Sequence, residues 1–279
     1  MAFSKTFTAV LLAGIVLLSF SIVCTARLSV GPLSLILDIP AEDRGGGSVS
    51  IVCTGDDPIE LKVSLHDWWR GPDGSLQILP PGTVERSCSA WVRFAPSSLV
   101  MSPGEQTDLS VEIAVPADVE GDHWSLLLVE EVPPPEEREK AEGMASTTRV
   151  IVSYAIKILQ KDSTTENQSL EIRGVELVEQ DPLTFGVHIA NTGNAHLTAT
   201  GTLTVRDTFG ETVRELDIKA VPTLPGEERT LAVTDETGLP LEPGQYFVIA
   251  IVDFGGEYLV QGGLPFAITP AAAEGENET

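Results

Sequence analysis

Apolar and polar side chains alternate with a period of two through most of the chain after Leu28, and this pattern constrains the fold more than any other feature. One such run is Leu33, Leu35, Leu37 and Ile39. Side chains on a β-strand point to alternate faces, whereas a helix repeats its apolar residues every three or four positions. Glycine, proline and aspartate separate the runs, as in antiparallel sandwiches. The sequence therefore predicts an all-β protein made of two tandem immunoglobulin-like antiparallel β-sandwiches.

The composition supports two cores and excludes one class of partner. Of 279 residues, 42% are hydrophobic, which suffices for two domains of ordinary size. The 41 acidic and 17 basic side chains give a formal net charge of -24. Because this charge repels phosphate backbones and anionic lipid headgroups, we expect no nucleic acid partner.

The N-terminal segment resembles an export signal. Lys5 precedes an apolar run from Phe7 to Val23, and small residues follow at Thr25 and Ala26. This order predicts a cleaved signal peptide over residues 1–26 and an exported protein, periplasmic or on the cell surface. A retained membrane anchor is the alternative, because the run approaches the length that spans a bilayer.

Two cysteines remain after the signal segment, Cys53 and Cys88, with 34 residues between them. An exported protein meets an oxidising compartment, so we predict that these two form a disulfide. Closing a loop of this length would stabilise the fold by about 4 kcal/mol in the chain-entropy model. Two free buried thiols are the alternative.

A polar segment divides the chain. Residues 161–169, K-D-S-T-T-E-N-Q-S, show no periodicity, so we predict a linker between a first sandwich at 28–160 and a second at 170–269. Because the linker lacks apolar residues that could fix an interface, the two sandwiches are expected to move relative to one another. An acidic disordered tail is predicted at 270–279.

The two halves share an order of landmarks, which predicts a duplicated domain. One landmark recurs at an offset of 138 residues and two recur at 122, so the first half carries 16 extra residues between them. The pairs are Thr54-Gly55-Asp56 with Thr192-Gly193-Asn194, Pro103-Gly104-Glu105 with Pro225-Gly226-Glu227, and Trp124 with Tyr246. Tyr246 also occupies the place of the corner tyrosine of immunoglobulin-type sandwiches.

No catalytic motif is present in the sequence, so we predict no enzymatic activity, no cofactor and no metal site. His66 beside Asp67 and Asp122 beside His123 are candidate acid–base pairs, but adjacent strand residues point to opposite faces. The four tryptophans, Trp68, Trp69, Trp91 and Trp124, either form an aromatic platform for carbohydrate or pack in the core.

The stretch from Thr148 to Leu159 is the strongest candidate for a binding element. Val150, Val152, Tyr154, Ile156 and Ile158 share one side of a predicted strand, and the acidic, proline-rich loop from Val132 to Ser146 precedes it. One interpretation is an ordinary core strand after a long loop. The other is a strand that offers its edge to another chain.

The first half resembles the N-terminal domain of PapD-like periplasmic pilus-assembly chaperones. The resemblance is carried by L-S-V-G-P-L-S-L-I-L-D at residues 28–38, by M-S-P-G-E-Q-T at 101–107, and by the acidic proline loop before the strand. It implies a strand that completes the sandwich of a client subunit, with Arg149, Val150, Val152, Tyr154 and Ile156 as the partner-binding residues. It also implies two basic residues that hold the client's terminal carboxylate, at positions near Ser34 and Ile151, neither of which is basic here, although Arg149 lies close by.

The second half is similar to CARDB-like immunoglobulin modules. Together the resemblances imply an exported, non-enzymatic binding factor that assists the assembly or folding of surface proteins, with another exported or surface protein as the partner through strand addition. The alternative function is a cell-surface module that binds a cell-wall polymer or another surface protein. Contact with a membrane is expected only if the signal segment is retained.

Overall fold

The computed structural model describes residues 27–71, 74–133 and 152–269. Within these ranges the chain forms strands, turns and bends, and no helix. The all-β prediction is confirmed. The strands are β1 Leu28–Gly31, β2 Ser34–Asp38, β3 Arg44–Cys53, β4 Ile59–Arg70, β5 Leu76–Leu79, β6 Val92–Ala95, β7 Ser98–Met101, β8 Gln106–Ala114, β9 His123–Val132, β10 Ser153–Lys161, β11 Leu170–Gln180, β12 Leu183–Asn191, β13 Leu197–Asp207, β14 Thr212–Thr223, β15 Glu228–Thr234, β16 Gly244–Asp253 and β17 Val260–Ile268.

The strands form two immunoglobulin-like β-sandwiches. The first packs the sheet β1-β3-β8-β6 against the sheet β2-β10-β9-β4-β5, with β7 also paired to β4. The second packs β11-β12-β15 against β14-β13-β16-β17. The pairing of β2 with β10 is parallel, whereas the other pairs of named strands are antiparallel. The N-terminal segment therefore contributes to both sheets, with β1 in one and β2 in the other.

Each sandwich has its own apolar core, built from the inward positions of the alternating runs. The first includes Val49, Ile51, Leu61 and Leu109, and the second includes Phe185, Leu203 and Val248, all with essentially no exposed surface. Burying such side chains contributes about 1.5–3 kcal/mol each relative to exposure.

Gly45, Gly46 and Gly47 lie inside β3, although three consecutive glycines are typical of a turn. The chain reverses just before them, where Glu42 adopts a φ of 67°. A side chain on Gly46 would collide with the carbonyl oxygen of Val111 in the neighbouring strand β8. Glycine is therefore used here for close approach between strands rather than for a turn.

The shared landmarks have the same structural role in both sandwiches. The amides of Thr54 and Gly55 donate to the carbonyl of Arg27 (2.9 and 3.2 Å), as those of Thr192 and Gly193 donate to Ser169 (3.0 and 3.2 Å). The glycines of the two Pro-Gly-Glu turns, Gly104 and Gly226, both have a φ of 77°.

Hydrogen bonding and register repeat with the same offsets. The Glu105 carboxylate accepts from the Ser102 amide and the Glu227 carboxylate from the Leu224 amide, both at 2.8 Å. Ile59 lies opposite Met101 in the first domain, and the equivalent residues of the second domain, Leu197 and Thr223, also lie opposite one another. The two domains therefore share the turn geometry and the register at these landmarks. The Tyr246 hydroxyl also donates to the Glu242 carbonyl at 2.8 Å, as expected of a corner tyrosine.

The two sandwiches contact one another through an apolar cluster. Trp68, Trp124, Leu126 and Leu159 of the first domain pack with Leu224 of the second, which lies in the turn between β14 and β15. The expectation of domains without an apolar interface is therefore wrong. It considered only the polar linker, whereas the apolar side chains come from strands and from a turn far away in sequence.

Candidate functional site

The predicted binding strand begins, among the described residues, at Ser153 and runs to Lys161 as β10. Arg149, Val150 and Ile151, and residues 134–146 of the loop before them, lie outside the described residues. Strand β9 pairs with β10 from Ser153 to Gln160. On the other side β2 covers only Lys157 to Lys161. The predicted open edge is thus restricted, in the described part of the chain, to residues 153–156.

The register identifies which backbone groups face this open edge. The Lys157 amide donates to the Leu33 carbonyl at 3.0 Å, on the side of β2. Backbone groups of residues two apart point to the same edge of a strand. The amide and carbonyl groups of Ser153 and Ala155 therefore face the open side, where no described strand pairs with them.

The side chains of the predicted binding set differ in their accessibility. Ile156 is fully buried in the first core. Tyr154 is half-buried, and its hydroxyl donates to the Leu28 carbonyl at 2.7 Å. Val152 is 38% exposed. Of the described members, Ile156 is a core residue because the strand turns this face inward, and only Val152 presents much of its surface to a partner.

The opposite face of β10 is covered as well. Ala155 and Leu159 pack in the cluster between the two domains, and the ammonium group of Lys157 lies 4.8 Å from the centre of the Trp68 ring. The Arg70 guanidinium lies 5.7 Å from the same ring. Burial, and secondarily the charge of Arg70, lower the pKa of Lys157. Two cations therefore share one aromatic surface next to the open edge.

Lys157 lies opposite Ser34 in the register of the two parallel strands. Ser34 is near one of the two positions at which the resemblance implies a basic residue, so a basic side chain of β10 lies next to that position. Lys157 lies on the face of β10 opposite Tyr154 and Ile156, and nothing in the local sequence shows that Arg70 and Trp68 lie beside it.

A buried carboxylate of the second domain contacts the same region. Glu227 Oε1 lies 3.9 Å from Arg70 Nε and 3.4 Å from Arg229 Nε, and the Glu227 side chain is 2% exposed. Burial raises the pKa of Glu227, while the Leu224 amide and the two guanidinium groups oppose the shift. Glu105, at the equivalent turn of the first domain, is exposed. The same turn thus contributes to an ion-pair network only where it meets the other domain.

Asp122 joins the two domains and the segment between them. One carboxylate oxygen accepts from the Asp162 amide at 3.3 Å, and the other accepts from the His196 amide at 2.7 Å. The Asp122 amide in turn donates to the Asn194 carbonyl at 2.8 Å. Burial raises the pKa of Asp122 although both amides oppose it.

The imidazole of His196 lies among the cations of this interface. Burial first, and then the charges of Lys161, Arg70 and Lys157, lower the pKa of His196 to about 4. The imidazolium form is disfavoured here because it would add a further positive charge to a partly desolvated region.

The two candidate acid–base pairs are not brought together. Asp67 is fully buried and accepts from the Val84 amide and from the hydroxyls of Ser87 and Ser89, at 2.9, 2.6 and 2.5 Å. His66 instead contacts the Ser64 hydroxyl at 2.9 Å. Asp67 therefore anchors the loop before β6 and Asp122 the domain interface. Among the described residues no group of three or more potential ligands is placed to hold a metal ion.

The tryptophans pack mostly inside the molecule. Trp68 and Trp124 are buried at the domain interface, and the ring of Trp69 stacks on Trp124 with centroids 5.8 Å apart. A cleft of about 550 Å³ between the domains exposes part of Trp69, beside Arg86 and Pro225. The four rings do not form one surface platform.

The structure does not contain the predicted disulfide, and Cys53 and Cys88 are both free and buried. The Cys53 sulfur contacts the Asp57 carbonyl at 3.9 Å, whereas the Cys88 sulfur contacts the Ser125 hydroxyl at 3.2 Å. The thiols thus have different partners. Burial raises the pKa of the Cys88 thiol to about 12.

The predicted signal segment and the acidic tail lie outside the described residues. In the part of the chain that the structure describes, there is no helix with the length and apolar character needed to span a bilayer.

Comparison with known proteins gives structural similarity only. No protein-family model and no curated protein matches the chain. Among 204 similar solved chains is one described as a chaperone–tip adhesin complex vital for synergistic activation of CFA/I fimbriae biogenesis, with 13% identity, a TM-score of 0.49, and coverage of 88% of this chain and 100% of that one. The class 5 fimbriae chaperone CfaA has 13% identity, a TM-score of 0.45 and the same coverages. The E. coli chaperone DraB has 13% identity and a TM-score of 0.41, with 87% of this chain and 98% of that one covered. Similarity at this level does not bear on function.

Proposed function

We propose that this chain is an exported, non-enzymatic protein-binding factor that adds the open edge of β10 to a strand of another exported or surface protein. The observation that carries the proposal is the partial coverage of β10. Strand β2 leaves the backbone groups of Ser153 and Ala155 without a described strand partner, next to the exposed Val152. Such an edge binds an extended segment through backbone hydrogen bonds, while alternate side chains select the partner.

The two cations at the end of the open edge extend the proposal to one feature of the partner. Among the described residues no carboxylate forms an ion pair with Lys157, and Arg70 shares the Trp68 surface with it. An anionic group that ends the partner strand would relieve the repulsion between these cations. The resemblance to pilus chaperones implies such a group, a client's terminal carboxylate. We therefore place the end of the partner segment at Lys157.

Site-specific photo-crosslinking in the native host tests the binding edge. A photo-reactive amino acid in place of Val152 is expected to trap a partner. The same amino acid in place of Val178, which is 59% exposed on the second domain, serves as the control. A photo-reactive amino acid in place of Ser153 should trap the same partner, and adding Val152→Asp should abolish that crosslink. The circular dichroism melt should stay unchanged, because Val152 is not a core residue.

Two further variants separate binding from folding. Lys157→Met should weaken recovery of the same partner at an unchanged melting temperature, since Met keeps much of the contact with Trp68. Ile156→Asp should unfold the first domain, because an unpaired carboxylate in the core costs several kcal/mol. The proposal fails if Val152→Asp also unfolds the protein, because β10 is then only a core strand. It also fails if the photo-reactive amino acid traps the same proteins in place of Val152 as in place of Val178.

A further inference from the structure

The second domain has an open edge of its own at β15. This strand pairs with β12 on one side, from Glu228 to Thr234, and no strand of the described residues pairs on the other side. The Asp235 amide donates to the Leu183 carbonyl at 2.8 Å, toward β12. Residues an odd number of positions away point the other way, so the backbone groups of Thr230, Ala232 and Thr234 face the open side.

Strand β15 has no proline and no bulge, two of the features that protect exposed strand edges from association, and its charged residues, Glu228 and Arg229, lie at its start. The other three outer strands of the domain carry at least one of them. Strand β11 has two register shifts, β14 has Pro222 as well as register shifts against β13, and β17 has Pro265. Strand β15 pairs with β12 without a shift, and three of its four residues with open backbone groups have exposed threonine or alanine side chains, the fourth being Glu228.

A groove of about 720 Å³ runs between β15 and β14, the facing outer strand of the opposite sheet. Its apolar lining includes Leu216, Ile218, Leu231 and Val233, the inward residues of both strands. Its charged lining is acidic overall, with four carboxylates against two cations, namely Glu215, Asp217, Asp235 and Glu236 against Lys219 and Arg229. Of these, Glu215 and Asp217 are exposed and form no ion pair with another described residue.

The corresponding strand of the first domain is paired along both of its edges. Val52 of β3 lies opposite Gln106 of β8, and Ala190 of β12 lies opposite Glu228 of β15. The two pairs correspond, since Val52 and Ala190 are 138 residues apart and Gln106 and Glu228 are 122 apart. Strand β15 is thus the counterpart of β8. In the first domain the outer edge of β8 is covered by β6, and among the described residues this sheet has four strands, whereas the sheet of β15 has three.

Strand β6 lies between the shared landmarks, and its sequence is V-R-F-A. Val92 is buried and Phe94 packs on the core, while Arg93 between them is exposed. The Ala114 amide of β8 donates to the Trp91 carbonyl at 3.2 Å. At the offset of 122, Ala232 and Thr234 correspond to Ser110 and Glu112 of β8. Ala114 is an even number of residues from both, so their backbone groups point to the same side of the strand. The backbone groups that are open in β15 are therefore the ones that β6 occupies in the first domain.

We propose that the outer edge of β15 is a second strand-binding site, which takes an extended segment of another protein in the place that β6 fills in the first domain. The segment has apolar side chains at alternate positions, which cover Leu231 and Val233, and at least one basic residue, which the surplus of carboxylates along this edge favours. This site is separate from the open edge of β10 and uses none of its residues.

A peptide titration tests the proposal with the full chain. The probe is a blocked synthetic peptide with the sequence of residues 90–95, A-W-V-R-F-A, added to the isotope-labelled protein and followed by NMR. We expect amide shifts confined to residues 230–234 of β15 and 216–219 of β14. A peptide with glutamate in place of the arginine should bind at least several-fold more weakly.

Variants at a single position provide the matched control. Ala232→Pro removes one outward amide and no bond to β12, so it should weaken binding at least tenfold while circular dichroism stays unchanged. Ala232→Val keeps that amide and should bind like the natural protein. Absence of shifts at millimolar peptide, shifts centred on residues 153–156, or equal binding by both variants would overturn the proposal. So would a concentration-dependent dimer that Ala232→Pro dissolves, because the occupant would then be a second copy.

Discussion

His196 makes the stability of the domain interface depend on pH in a way that can be calculated. Burial and the charges of Lys161, Arg70 and Lys157 lower the pKa of His196 from 6.5 to about 4 on folding. Between these two values the unfolded chain binds a proton at this residue and the folded chain does not. The contribution of His196 is therefore complete above pH 6.5 and is lost as the pH falls toward 4.

The size of the effect follows from the shift. One pKa unit corresponds to 1.36 kcal/mol, so a shift from 6.5 to about 4 sets an upper limit of about 3 kcal/mol. Because the side chain is partly exposed, we expect about 2 kcal/mol between pH 7 and pH 4.5. Asp122 and Glu227 act in the opposite direction, since burial raises their pKa values and favours folding as the pH falls.

The comparison of the natural protein with His196→Gln isolates the histidine, because the two carboxylates are present in both. Urea unfolding at pH 7.0, 5.5 and 4.5 would be followed by circular dichroism for the whole chain and by tryptophan fluorescence for the first domain, which contains all four tryptophans. From pH 7.0 to pH 4.5 the free energy of unfolding should decrease in both proteins, and the decrease should be about 2 kcal/mol smaller in the variant than in the natural protein. Parallel curves would show that the imidazole is not held among the interface cations.

Two further predictions concern the interface and the thiols. Arg70→Ala leaves Glu227 buried with one cation fewer, so urea unfolding should show a loss of about 3 kcal/mol, which Arg70→Ala combined with Glu227→Gln should partly restore. A loss of the same size in the double variant would mean that the ion pair is not its cause. Cys53 and Cys88 should both resist alkylation in the native exported protein and both react after unfolding in urea without reductant. If a reductant is needed, the disulfide expected from the sequence forms after all.

Strands were the part of the fold most accessible from the sequence. The apolar patterns of β9, β12 and β13 show the strands directly in the sequence. Each is a strand in the middle of its sheet with several fully buried residues, so the apolar signal is strong. The short strand β5 gives only a weak signal, because its four residues are at most half-buried and alternate weakly.

Contacts between distant segments could not be predicted in the same way. Leu224 is a single apolar residue in a turn, and only the approach of Trp68 and Trp124 makes it part of a cluster. Lys157 is likewise unremarkable in the sequence until Arg70 and Trp68 lie beside it. The pattern did place Tyr154 and Ile156 on one face, but it could not show whether that face is the core or a binding surface, because burial and recognition both select apolar residues.

The duplication explains why the two open edges would not compete for one partner. In the first domain β6 covers β8, and the proposed binding edge at β10 lies beside the cations Lys157 and Arg70. In the second domain no strand of the described residues covers the outer edge of β15, and its groove is acidic. A segment that ends in a carboxylate fits the first edge and is repelled by the second, whereas a basic segment has the opposite preference. Two strand-binding sites on one duplicated fold would thus be distinguished by charge rather than by backbone geometry, since the backbone groups offered at both edges are the same.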